Sequence, residues 1–148
     1  MATRHARLVV LLLLAGCGGS FRDGGSGQPL GSTPLDCVDY INSLRARKGL
    51  PALARREDAE SCANGQARSD STSGDAHGAF GDCEEHAQNE CPGWPGLSSI
   101  VPGCLDMMWA EGPGGGHYEN MTSTRSTRVA CGFYVTSSGA VWAVQDFW

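Results

Sequence analysis

Val129-Ala130-Cys131-Gly132-Phe133-Tyr134-Val135, followed by Thr136-Ser137-Ser138-Gly139 and then Val141 to Phe147, is the stretch that decides the fold. Val129, Cys131, Phe133 and Val135 alternate with Ala130, Gly132 and Tyr134, the two-residue period of a strand. The turn-rich four at 136–139 sends the chain back, so the segment reads as an antiparallel, half-buried hairpin. No comparable alternation precedes it.

Upstream the period is nearer four. Thr33, Pro34 and Asp36 supply a cap, a first-turn proline and an early carboxylate. Val38, Ile41 and Leu44 continue that helix until Gly49 and Pro51 stop it. A second helix is predicted to start among Glu57, Asp58 and Glu60, whose charges suit the positive end of a helix dipole. It buries Ala59, Cys62, Ala63 and Ala67 and ends before Gly74. Ile100, Cys104, Leu105 and Met108 mark a third, shorter helix, with Pro102 tolerable only in its first turn. Helices first and strands last predict an α+β domain over residues 36–148.

The 148 residues carry 11 basic and 16 acidic side chains, a formal net charge of −5. That balance argues against nucleic acid as a partner, since phosphates call for a basic face. The 21 glycines show no triplet period, so collagen is excluded.

Residues 1–16 read as an export signal: Arg4 and Arg7, the apolar run Leu8 to Ala15, then Gly16. The run is too short to span a bilayer, which takes about 20 residues. Leu14-Ala15-Gly16-Cys17 resembles the lipobox of bacterial lipoproteins, which implies cleavage before Cys17 and lipidation of that cysteine. Ordinary secretion with Cys17 as a spare thiol is the alternative. Residues 17–35 form a tether, with six glycines between 18 and 34 among Ser, Gln, Asp and Pro. Gly18 follows the cysteine and no Asp stands there. In bacteria with an outer membrane, this resembles the default of export onward, to the outer membrane or cell surface.

Of seven cysteines, setting Cys17 aside leaves Cys37, Cys62, Cys83, Cys91, Cys104 and Cys131. An even set in an exported domain predicts three disulfides, with connectivity open. Cys83–Cys91, enclosing a short loop, is the first expectation for one bridge. No C-x-x-C pair occurs, which argues against cysteine-ligated zinc.

Gly116-His117-Tyr118, Met121 and Val129-Ala130-Cys131-Gly132 together resemble the signature of the CAP superfamily, the cysteine-rich secretory, antigen 5 and pathogenesis-related proteins. Trp109-Ala110-Glu111 is similar to the helix end preceding that motif. Ala87-Gln88-Asn89 falls where the family has Gly-Glu-Asn, and Asp75-Ala76-His77 where it has its first histidine. Tyr40-Ile41-Asn42-x-x-Arg45 and Gly49-Leu50-Pro51-x-Leu53 resemble its first helix and following loop. The resemblance implies an α-β-α sandwich with a small antiparallel sheet. It also implies a cleft formed by His77, Gln88, Glu111 and His117, where some members bind a divalent metal. His77, Glu111 and His117 would make a three-ligand zinc set with one open position.

Gln88 replaces the family's second carboxylate, and this removes a possible general base. The expectation is therefore a lipid-anchored binding module, recognising a lipid, glycan or protein ligand. A metal-dependent, peptidase-like hydrolase is the alternative. Other features carry less. Glu85-His86 with Glu90 lacks the second histidine of H-E-x-x-H, leaving His86 a surface or loop residue. The Gly112 to Gly116 run follows no strand and supplies slack before His117. Asn120-Met121-Thr122 matches a glycosylation sequon without meaning in a bacterial export route. Trp94 and Trp109 are either groove or packing.

Overall fold

A computed structural model describes residues 33–148; the expected signal, Cys17 and most of the tether lie outside the described residues. The order of elements is α1 (Thr33–Ala46), β1 (Ala54–Arg55), a 3-10 turn (Glu57–Ala59), α2 (Glu60–Ser73), β2 (Ala87–Trp94), α3 (Leu97–Ala110), α4 (Gly116–Thr122), β3 (Arg128–Val135) and β4 (Val141–Phe147). Thr33–Leu35, assigned above to the tether, form the first turn of α1.

The hairpin forms as expected, with Val129 opposite Phe147 and Val135 opposite Val141. In the four-stranded sheet, ordered β1-β3-β4-β2, only the short β1–β3 pair is parallel. The sheet is buried on both faces, not one, because helices cover each side. Cys37, Ile41, Leu105, Met121, Val129, Cys131, Phe133 and Phe147 belong to the larger core, beneath α1, α3 and α4. The other face carries a smaller apolar patch, Ala63, Ala67 and Val144 with Tyr134 and Trp142 packed against them, beneath α2. Small residues bring α2 very close: a β-carbon on Gly132 would lie 2.1 Å from the Ala63 carbonyl carbon.

Sequence periodicity located α1, α2 and α3, but three details differ. Cys62 is exposed, facing the loop that follows α2. Pro102 sits in the second turn of α3, because the helix begins at Leu97. The strand β2 had no apolar alternation to announce it; its interior is Gln88, Asn89, Glu90, then Pro92 and Gly93 at a break in register. Pro92 is accommodated because β2 is an edge strand and the irregularity frees its position from pairing.

Three disulfides form: Cys37–Cys131 joins α1 to β3, Cys62–Cys83 joins α2 to the next loop, and Cys91–Cys104 joins β2 to α3. The expected Cys83–Cys91 bridge is absent. Cys91 lies on the β2 face that meets α3, whereas Cys83 is drawn to α2. Peptide mapping of non-reduced protein should recover these three linkages; a linked 83/91 peptide would contradict the arrangement.

Two side chains of α1 tie that helix to the loop after it and to α4. Asn42 exchanges hydrogen bonds with the Leu53 backbone, Nδ2 to O at 3.0 Å and N to Oδ1 at 2.8 Å. Arg45 is 1% exposed, and its guanidinium donates to the carbonyls of Pro51, Met121 and Ser123. The last two lie at the C-terminal end of α4, where a cation meets unsatisfied carbonyls and the negative end of the dipole.

Candidate functional site

His117 is the second residue of α4, and that helix is held at both ends. Arg45 grips its C-terminus. At its N-terminus, the Asn89 amide donates to the His117 carbonyl at 3.1 Å. Asn120 donates to the Gln88 carbonyl at 3.1 Å and to Asn89 Oδ1 at 2.9 Å. The sequon asparagine is thus tied inward to β2.

Glu111 follows the last turn of α3 and turns toward α4. Its Oε1 lies 2.5 Å from His117 Nδ1, and its Oε2 accepts the His117 backbone N–H at 3.1 Å. The His117 ring hydrogen bond holds the Glu111 carboxyl below the usual range. The intervening glycines do more than supply slack. A β-carbon on Gly115 would come within 2.4 Å of Glu111 Cβ and 2.7 Å of Oε2, so the carboxylate occupies the place of a side chain.

His77 comes from the loop between α2 and β2, in a left-handed backbone conformation with φ of 62°. That loop is strung on three buried carboxylates. The His77 N–H goes to Glu90, Ala79 N–H to Asp70, and both Gly81 and Cys83 N–H to Glu85. Asp70, Glu85 and Glu90 are 0%, 6% and 3% exposed, so each of the four backbone donors meets a buried acceptor. Burial pushes Asp70 upward and Glu90 up to about 7. On β4, burial pushes Asp146 up to about 7 as well. Asp70 Oδ2, Glu90 Oε1 and Asp146 Oδ2 have no hydrogen-bond partner, consistent with carboxyls that favour a proton.

The His77 ring is oriented by an amide chain that starts at Glu85. The Gln66 amide donates to Glu85 Oε1 at 2.7 Å and to the Ala79 carbonyl at 2.9 Å. The Gln66 oxygen then accepts from Gln88 Nε2 at 3.2 Å, and Asp146 Oδ1 accepts from the same amide at 3.0 Å. Gln88 Oε1 is therefore left facing His77 Nδ1, at 2.9 Å. An amide oxygen only accepts, so His77 carries a proton on Nδ1. His117 does likewise beside Glu111. In neutral rings, both lone pairs then sit on Nε2.

The two imidazole centroids are 6.3 Å apart, with the planes 26° from parallel. Two imidazoles on one tetrahedral ion at about 2.0–2.1 Å per nitrogen have centres roughly 5 Å apart, so at 6.3 Å the two rings are neighbours that would have to close by about 1 Å to share an ion. Both Glu111 oxygens serve His117, one at the ring and one at the backbone N–H. Glu111 stands as the partner that fixes ring orientation and tautomer. Among the described residues, Cys83, Glu85 and Asp146 do bring ligand atoms within 4.8 Å of one another. However, Cys83 is bonded to Cys62, which removes its thiolate.

Surrounding features sort readily. Trp94 packs on Gly103 and donates to Ser99 at 2.9 Å, so it is packing. The Trp109 ring packs 5.0 Å from that of Tyr118, tilted by 52°, next to His117 in sequence. His86 is exposed and meets Ser126 at 3.0 Å. A cavity of about 540 Å³ opens beside it, lined also by Glu119 and Arg125, and neither His77 nor His117 borders it. Sequence reasoning missed Glu90, Asp70 and Gln66. The signal for Glu90 was its two-residue offset from Gln88, usable only once residues 87–94 are known to be a strand.

No curated protein matches the chain. The family model described as the cysteine-rich secretory protein family, CAP, matches residues 38–147. Together with the layered helices, the central sheet and the three disulfides, that match carries the conclusion that this chain belongs to the CAP family.

Proposed function

We propose that the chain is a CAP-type binding module, exported and held at a membrane by lipid on Cys17, whose cleft binds a divalent ion between His77 and His117. The single observation that supports this reading is the pair of Nδ1 hydrogen bonds, to Gln88 and to Glu111, which leave two Nε2 lone pairs in adjacent rings. A bound ion would supply Lewis acidity and open coordination positions for a ligand's oxygen atoms. His77 and His117 would hold it, while Gln88 and Glu111 fix their tautomers. An oxygen-rich ligand, such as a lipid headgroup, glycan or peptide carboxylate, suits those positions.

Binding is favoured over turnover because Glu111 is committed to His117 and Gln88 lacks basicity, so neither supplies a free general base. The hydrolase alternative draws on the same Glu111–His117 pair, which orients an imidazole as a base would need. Membrane attachment rests on Leu14-Ala15-Gly16-Cys17, a property of the sequence.

Calorimetric titration with zinc tests the cleft. One equivalent is expected to bind the wild type, with binding lost in His117→Ala and weakened in His77→Ala. Equal uptake by wild type and His117→Ala would refute the reading. Release of a peptide or ester product only in the presence of zinc would favour the hydrolase.

A further inference from the structure

We propose that Glu90 is a positioning residue for the cleft: its buried carboxylate holds His77 in the left-handed conformation that presents the ring to His117. The proposal rests on the reading of His77 and His117 as one ligand pair.

Glu90 and Gln88 lie two residues apart on one face of β2, and both reach His77. Gln88 binds the ring at Nδ1. Glu90 Oε2 accepts the His77 backbone N–H and lies 3.9 Å from Nδ1. The residue is thus clamped at two points, main chain and ring, by successive side chains of a rigid strand. A non-glycine residue at φ of 62° persists only where its surroundings over-determine it. Here the Glu90 acceptor for the N–H, the Gln88 contact at the ring and the Phe80 N–H on the His77 carbonyl together hold that conformation. A carboxylate 3% exposed has no solvation to justify its place, so its contact with His77 is the interaction it has to offer. The side chain at 88 is uncharged, and the carboxylate that the cleft lacks there stands one pleat further along the same face. Glu90 does not replace Gln88 at the ring; it acts through the backbone.

The test compares Glu90→Leu with Glu90→Gln, which keeps a neutral acceptor. In the wild type, the His77 amide proton should exchange slowly and its HN–Hα coupling should report positive φ. Glu90→Leu should abolish that protection and weaken zinc binding at least about tenfold, the usual effect of losing an outer-shell partner. Glu90→Gln should retain protection and stay within about threefold of wild-type affinity. A wild-type His77 amide that exchanges freely would overturn the proposal without any variant, should Glu90→Leu fail to fold. So would a folded Glu90→Leu protein with unchanged amide protection and zinc affinity. The two readings fail separately. A protected amide in a protein that takes up no zinc defeats the metal cleft and leaves the positioning role; zinc uptake with a free amide does the reverse.

Discussion

Gly132→Ala is expected to abolish the native fold. The added carbon would meet the Ala63 carbonyl carbon at 2.1 Å, its oxygen at 2.4 Å and the Asn64 nitrogen at 2.5 Å. All three are backbone atoms of a helix, so no rotamer change relieves the overlap, and α2 must lift from the sheet. Lifting it also breaks the 2.7 Å bond from Phe133 N–H to Asn64 Oδ1. It separates Ala63 and Ala67 from Val144 too. Overpacking that side chains absorb costs about 1–3 kcal/mol; against backbone, a loss above about 4 kcal/mol is expected. Gly65→Ala is the control, since its added carbon meets nothing within 4 Å in the interior of α2. That change should stabilise the protein by up to about 1 kcal/mol. Chemical denaturation of the pair decides the point: if Gly132→Ala unfolds within about 1 kcal/mol of wild type, the close contact is not as described.

Stability should be greatest in mild acid and should fall as the solution is made alkaline. Burial pushes Asp146 and Glu90 from ordinary values of 3.8 and 4.5 up to about 7. Between the ordinary and the folded values, the folded chain binds more protons than the unfolded chain. The contribution of these two groups is therefore fully present below about pH 4 and is lost as pH rises through about 7. Each unit of such a shift is about 1.4 kcal/mol. Glu111 acts in the opposite sense, losing its contribution below its ordinary 4.5, but it is a third exposed and counts for less. For a domain of this size, the melting temperature should drop by about 10 °C between about pH 5 and pH 8. Asp146→Asn keeps an acceptor for Gln88 and should flatten the profile. A wild-type melting temperature that rises over that interval would contradict the account.

These two predictions fall on opposite sides of what the sequence made legible. The hairpin containing Gly132 was readable because Val129 to Val135 alternate and Thr136–Gly139 closes them. Three helices were readable from apolar spacing. The strand β2 was not, because Gln88, Asn89 and Glu90 look like a surface loop, yet all three are buried. Their burial depends on partners far away in the chain: Asp146 and Gln66 for Gln88, Asn120 for Asn89, and the His77 backbone for Glu90. Such long-range satisfaction leaves no local period.

The same reason hid the carboxylates beneath α2. An acidic side chain reads as solvated unless the backbone donors that wrap it are known, and those of residues 77, 79, 81 and 83 became visible only in three dimensions. The disulfide expectation failed on a related point. Cys83 and Cys91 are near in sequence, but β2 begins between them and carries Cys91 to the opposite layer. Residues His77, Gln88, Glu111 and His117 were each named from motifs. Their division into ring-bearing and orienting pairs came from hydrogen bonds that motifs do not encode.

The amide chain from Glu85 to Gln88 and the Glu111 contact converge on one property: which nitrogen of each ring is left bare. Long-range nitrogen–proton NMR of the imidazoles, with zinc added stepwise, reads it directly. At mildly alkaline pH, His77 and His117 should both appear protonated at Nδ1 and bare at Nε2. One equivalent of zinc should then shift both Nε2 resonances in parallel. Protonation at Nε2 in either ring, or a zinc response confined to one of them, would contradict the account.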